Sequence, residues 1–181
     1  MPRLPQITSR EVLAEDKRHI FDEIVASRGR VGGPFPLLLH SPEVAGRVAH
    51  LGTYMRFESG LPAADRELAV LTTTREWDCG TECGGHVGLG RQVGVREEAI
   101  DAVAHRRELD GLTAEEALVI KYCRELLRDH RVSNDTLEAA RVRYGDQGLV
   151  DLTALVGYYV MLACVLNAFE AEPAPNAPRL P

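Results

Sequence analysis

Helix-start and helix-stop signals follow one another along this sequence, and no stretch between them alternates with a strand's period of two. Thr8-Ser9-Arg10-Glu11 reads as a capping box opening a helix to about Ser27, with Leu13, Ile20 and Ile24 as its apolar stripe. Ser41-Pro42-Glu43 sets an N-cap, a first-turn proline and a first-turn acid in the preferred order. The helix that follows carries Val44, Val48, Leu51 and Met55 on one face and is expected to stop near Gly60. Further helices are predicted from Pro62 to Trp77, from Cys79 to Val93 and from Arg96 to Arg107. Thr113-Ala114-Glu115-Glu116 is a second capping box, opening a helix through Val119, Tyr122 and Leu126 to about His130. Ser133 or Asn134 then caps a helix ending near Gly145, and an almost wholly apolar helix runs from Leu149 to Glu170. The expectation is one all-α domain over residues 1–181, a bundle of about seven or eight helices, with a proline-rich tail at 171–181.

The chain's 181 residues suffice for a core without disulfides. A net charge of −6 argues against binding nucleic acid or an anionic membrane surface, and 6% aromatic residues are few for a base-stacking platform. The apolar run from Ala154 to Leu166 is shorter than the roughly 20 residues a membrane span needs. Met1-Pro2-Arg3-Leu4-Pro5 has no apolar run of signal-peptide length, so a reducing cytoplasm is expected. Cys123 and Cys164 fall in apolar helical patterns and read as inert core residues.

Chemistry concentrates between Cys79 and His86. At about 100° per residue, Cys79, Glu82, Cys83 and His86 share one helix face over two turns. Gly80, Gly84, Gly85, Gly88 and Gly90 lie in the same helix, where each costs roughly 1 kcal/mol relative to alanine. Two readings account for them: close approach of another helix, or room for a substrate beside Glu82 and His86. Glu67 stands one turn into an apolar helix, where a carboxylate must find a partner or stay protonated. If its helix pairs antiparallel with the next, Glu67 faces the thiol and the imidazole. Cys79, near a helix N-terminus, is placed for thiolate character.

The spacing resembles the superfamily of carboxymuconolactone decarboxylases and alkylhydroperoxidase-D-like proteins. The peroxidase branch carries a Glu and, twelve residues later, Cys-x-x-Cys-x-x-x-His. Here Glu67 precedes Cys79 by twelve, Cys79 and His86 match the first cysteine and the histidine, and Glu82 occupies the second cysteine's position. The Glu-x-x-x-His form is similar to the decarboxylase-like branch, as are Trp77-Asp78-Cys79 and Arg56-Phe57-Glu58-Ser59-Gly60-Leu61-Pro62. Cys83 departs from the tryptophan those relatives usually carry. The likeness is strongest over residues 34–105. It implies the alkylhydroperoxidase-D-like helical fold and a homo-oligomer, a trimer or hexamer.

Several functions fit. In the first, a cofactor-free enzyme decarboxylates or isomerises a small lactone or keto acid through a Glu67/Cys79/Glu82/His86 proton relay, with His86 as donor. In the second, Cys79 and Cys83 act as the redox pair of a thiol-dependent alkylhydroperoxidase. A metal site is a weaker reading, because one straight helix cannot wrap four ligands around one ion; no metal or cofactor is expected. A non-catalytic oligomeric protein is the last. His50 is the second-tier candidate, while His19, His40, His105 and His130 show no ligand spacing. Tyr158 and Tyr159 read as core residues needing a hydrogen-bond partner.

Overall fold

A computed structural model describes residues 2–173 and Pro178. The tail expected at 171–181 therefore lies mostly outside the described residues. Among the described residues every regular element is a helix and there is no strand. Its contacts gather into two units, residues 2–58 with 164–172, and residues 59–163 with Pro173.

The first unit holds two 3-10 turns, Arg10–Val12 and Glu15–Lys17, then α1 (Arg18–Arg28), α2 (Phe35–Leu38), α3 (Pro42–Thr53) and a π turn, Tyr54–Glu58. The sequence predicts a helix from Ser9; the structure starts it at Arg18. Ser9 Oγ bonds the Glu11 carboxylate instead of capping backbone amides, and Leu13 and Ala14 are extended. The stop behaves as expected, with Gly29 at φ 76° and its N–H donating to the Val25 carbonyl at 2.7 Å. α1 packs on α3. The buried face of α3 is Ala45, Val48, Ala49 and Gly52; of the predicted stripe Val48 and, just beyond the helix, Met55 are buried, whereas Val44 and Leu51 are exposed. Small residues lie inward there because α1 comes close: a Cβ on Gly46 would meet Ile20 Cγ2 at 3.5 Å.

The second unit is built around α4 (Ala63–Glu76), which packs against α5 (Gly80–Gln92), α6 (Glu97–Ala104) and α7 (Ala114–Arg128). From Glu67 to Arg75 every residue of α4 is buried, polar ones included. Thr72 and Thr74 are satisfied within the helix, Thr72 Oγ1 donating to the Leu68 carbonyl and Thr74 Oγ1 to the Val70 carbonyl, each at 2.8 Å. The capping box at α7 forms in both directions, Thr113 Oγ1 accepting from the Glu116 amide and Glu116 from the Thr113 amide.

The two helices predicted before and after Gly145 join without a loop in α8 (Asn134–Ala168). Gly145, at φ 68° and ψ 176°, absorbs the break in one residue, a backbone conformation that a Cβ opposes. Just before it, Arg143 Nε and the Tyr144 hydroxyl both donate to Asp65 Oδ2 on α4, at 2.8 and 2.6 Å. By length and composition alone α8 is apolar enough to cross a membrane, but half of its most apolar stretch is buried, as in a core helix.

Candidate active site

α4 and α5 are joined by a tight turn, Trp77–Cys79, whose backbone is held from outside. Asp78 adopts φ 48°, uncommon for a residue with a Cβ. Its carboxylate accepts from Arg106 Nη2 at 2.9 Å and pairs with Arg75, while the same Arg106 nitrogen donates to the Arg75 carbonyl at 2.8 Å. Arg75 Nε in turn donates to the Ala104 carbonyl at 2.7 Å. With the turn fixed, the Cys79 amide bonds the Thr74 carbonyl at 2.8 Å, and Cys79 becomes the N-cap of α5. α5 then returns along α4, and Glu67 and His86 meet although nineteen residues separate them.

His86 Nδ1 lies 2.6 Å from Glu67 Oε2. A carboxylate only accepts, so Nδ1–H donates. The opposite nitrogen, Nε2, is shared: Glu82 Oε2 and the Tyr159 hydroxyl both lie 3.4 Å from it. The Tyr159 ring stands edge-on to the imidazole at 5.2 Å between centroids. Arg66 Nε sits 3.7 Å from Glu67 Oε1 and favours that carboxylate's charged form. The second oxygen of Glu82, Oε1, is buried and bonds nothing.

Burial pulls the His86 pKa down, but hydrogen bonds and charge from Glu67 and Glu82 outweigh it and raise the pKa to about 9. His86 is therefore imidazolium at neutral pH, a charged proton donor between two carboxylates. The tight contact at Nδ1 fixes the ring; the contacts at Nε2 are long, so that end is held less tightly.

The thiols do not follow the sequence expectation. Cys79 is fully buried, and burial pushes its thiol up to about 11 although backbone amides at Glu82 and Thr81 favour the thiolate and Glu82 opposes it. Cys83 is buried against Thr74 and also raised by burial. Both are free thiols. Cys123 is buried as expected, but Cys164 is exposed, on the outward side of α8. Alkylation by iodoacetamide at neutral pH is thus expected at Cys164 first, with Cys79, Cys83 and Cys123 protected; peptide mass spectrometry showing Cys79 as the fastest site would contradict this.

Glu67, Glu82 and His86 form one hydrogen-bonded group, with Cys79 beside Glu82. His50 does not join this group: it is exposed on α3 in the first unit, lining a shallow hollow with His19, Glu23 and Glu43. Among the described residues no set of three or more His, Cys, Asp or Glu has metal-holding geometry. Two members were not placed in the site from the sequence, Arg66 and Tyr159. The only signal for Tyr159 was a phenol in an otherwise apolar helix, which demands a buried partner.

The same geometry coincides with a family match. Residues 42–125 match the carboxymuconolactone decarboxylase family. Over these residues the chain is similar to that family. The match takes in α3 through most of α7 and therefore Glu67, Cys79, Glu82 and His86. No curated protein sequence matches significantly. Three solved structures share the fold. A Ralstonia eutropha JMP134 protein, described as an alkylhydroperoxidase AhpD core and a peroxidase-related protein, is 20% identical with a TM-score of 0.78, covering 96% of this chain and 93% of its own. A peroxidase-related protein from Silicibacter sp. TM1040 is 15% identical with a TM-score of 0.74, over 97% and 95%. A protein of unknown function from Agrobacterium tumefaciens, a suggested antioxidant defence protein AhpD, is 22% identical with a TM-score of 0.68, over 76% and 94%. The all-α, alkylhydroperoxidase-D-like architecture expected from the sequence is the one found.

The glycines of α5 divide into a packed position and open ones. A Cβ on Gly90 would meet Leu71 Cδ1 at 3.3 Å, so smallness there serves helix packing. Nothing lies within 4 Å of a Cβ on Gly80, Gly85 or Gly88. Gly85→Ala and Gly88→Ala, in the helix interior, are each expected to stabilise by about 0.5–1 kcal/mol, raising the melting temperature by about 2–4 °C per kcal/mol. Gly90→Ala should gain less, because Leu71 must give way. Thermal melts showing losses at both Gly85 and Gly88 would mean that something outside this chain fills the space beside them.

Proposed function

We propose that this chain is a cofactor-free acid–base enzyme acting on a small lactone or keto acid, with His86 as the proton donor. One observation carries the reading: a buried imidazolium is clamped at Nδ1 by Glu67 and held loosely at Nε2 beside a carboxylate oxygen with no partner. In a β-keto acid the bond to the carboxylate carbon breaks, CO2 leaves, and the electron pair enters the adjacent carbonyl as an enolate. The enolate carbon then takes the Nε2 proton. Isomerisation uses the same group in two strokes, Nε2 first protonating one carbon and the neutral ring then taking a proton from another. Glu67 keeps the ring oriented and stabilises the charge; Glu82 Oε1 accepts a hydrogen bond from a substrate hydroxyl or enol. Desolvation strengthens each of these interactions. Homo-oligomer assembly, as a trimer or hexamer, is part of the same reading, taken from the family resemblance, and a cytoplasmic location is proposed with it.

A second reading is thiol peroxidase activity, favoured by two thiols one turn apart at the start of α5 and by the peroxidase-related description of two structural neighbours. There a Cys79 thiolate would attack the O–O bond, releasing an alcohol and leaving a sulfenic acid. Cys83 would displace water to form a disulfide, and an external dithiol would reduce it. The raised thiol pKa values weigh against it, because the thiolate is the nucleophile. Screening β-keto acids, lactones and organic hydroperoxides against wild type and Cys83→Ala separates the two. Turnover of an acid or lactone that survives loss of Cys83 supports acid–base chemistry. Activity confined to hydroperoxides and abolished with either thiol would replace it with the second reading.

A further inference from the structure

We propose that Tyr159 is a positioning residue of the His86 relay: its hydroxyl donates to Nε2 of the neutral imidazole, taking the place Glu82 holds while the ring is charged. This rests on the acid–base reading, but its test needs no turnover.

The protonated ring carries an N–H at each nitrogen, and two carboxylates accept them, Glu67 at Nδ1 and Glu82 at Nε2. Once the Nε2 proton has gone to substrate, that nitrogen is a lone pair in a buried site. Glu82, as a carboxylate, has no hydrogen to offer it. An acceptor left bare in the interior would penalise the very state that proton donation creates. The Tyr159 hydroxyl lies at the same 3.4 Å from Nε2 as Glu82 Oε2, and it can donate. The phenol is 2% exposed, its ring braced edge-on against His86 and, at 5.3 Å, against Tyr158. The relay thus changes partners at one nitrogen without moving the ring.

The groups facing His86 act in opposite directions. From α4 comes Glu67, with Arg66 at its other oxygen; from α5 comes Glu82, with Cys79 beside it; from α8 comes Tyr159. The carboxylates favour the charged ring, whereas the phenol as donor favours the neutral one. A residue that only filled space would shift neither.

The test is an NMR titration of the side-chain nitrogens of the folded protein, with His86 assigned by its absence in His86→Gln. Neutral wild-type His86 is expected as the Nδ1–H tautomer, with an unprotonated Nε2 that accepts from Tyr159. Tyr159→Phe should raise the His86 pKa by about half to one unit, and Glu82→Gln should lower it. An Nε2–H tautomer in wild type, or a Tyr159→Phe pKa unchanged or lowered, would overturn the proposal. Should Tyr159→Phe not fold, the wild-type tautomer decides alone. A failure to turn over any substrate would sink the acid–base reading and leave these shifts as they are.

Discussion

Replacing His86 by alanine is expected to lower turnover of an acid or lactone substrate by about 10²–10⁴-fold, the usual contribution of a positioned acid or base. Glu82→Ala should fall in the same range, since it removes the acceptor at Nε2 and the open oxygen Oε1. Cys83→Ala should have a small effect, because Cys83 bonds Thr74 and not the imidazole. Cys79→Ser should be intermediate, keeping a hydroxyl beside Glu82. Under thiol chemistry the order inverts, and either cysteine becomes indispensable. The pH dependence of turnover should follow the Glu67–His86–Glu82 group as a unit, with apparent pKa values belonging to the group and to no single member. Steady-state kinetics on the four variants is the measurement, and full activity in His86→Ala would refute the assignment.

Stability should fall as the pH rises from about 6.5 to 9, and His86 is the cause. Its pKa is raised from 6.5 in the unfolded chain to about 9 in the fold. The folded state therefore holds a proton that the unfolded state has already released across that window. The stabilisation is complete below pH 6.5 and is lost as the pH passes through 9, an effect on the order of 3 kcal/mol for a group so deeply buried. The buried thiols add to the loss only above about pH 9, where the unfolded thiols ionise while Cys79 and Cys123 stay protonated. Urea unfolding of His86→Gln between pH 6.5 and 9 should show most of that slope removed, whatever the variant's own stability. An unchanged slope would mean that His86 is neutral in the fold.

This pH coupling and the chemistry share one origin, the burial of two carboxylates against one imidazole. Holding Glu67 and Glu82 near a ring that could otherwise ionise freely costs desolvation, and the charged ring offsets it. The turn at Asp78 serves the same end, since the Arg75–Asp78–Arg106 cluster keeps a left-handed backbone in place at the point where α5 begins. The strain therefore lies beside the site, where it fixes Cys79 and the register of Glu82 and His86.

The helical class, the capping box at Thr113 and the shared face of Cys79, Glu82, Cys83 and His86 were legible in the sequence because each depends on residues no more than one or two turns apart. The glycine stop of α1 at Gly29 is equally local in cause, as is the helix break at Gly145. Where the sequence misled, a longer-range contact or a competing local bond had decided. Ser9 bonded Glu11 and left the predicted cap unmade, and α3 turned small residues inward because α1 approached there. The ionisation states were beyond sequence reading altogether. A cysteine at a helix start suggests thiolate, yet burial overrides the amides at Cys79; a histidine suggests a pKa near neutrality, yet two carboxylates move it to about 9. Tyr159 belongs with His86 only because α8 carries it there from 73 residues away. Sequence spacing determined which groups share a helix face, since that follows from 3.6 residues per turn. Only tertiary structure decided which groups meet across helices and how far water is excluded from them, and those two quantities set the protonation state on which the chemistry depends.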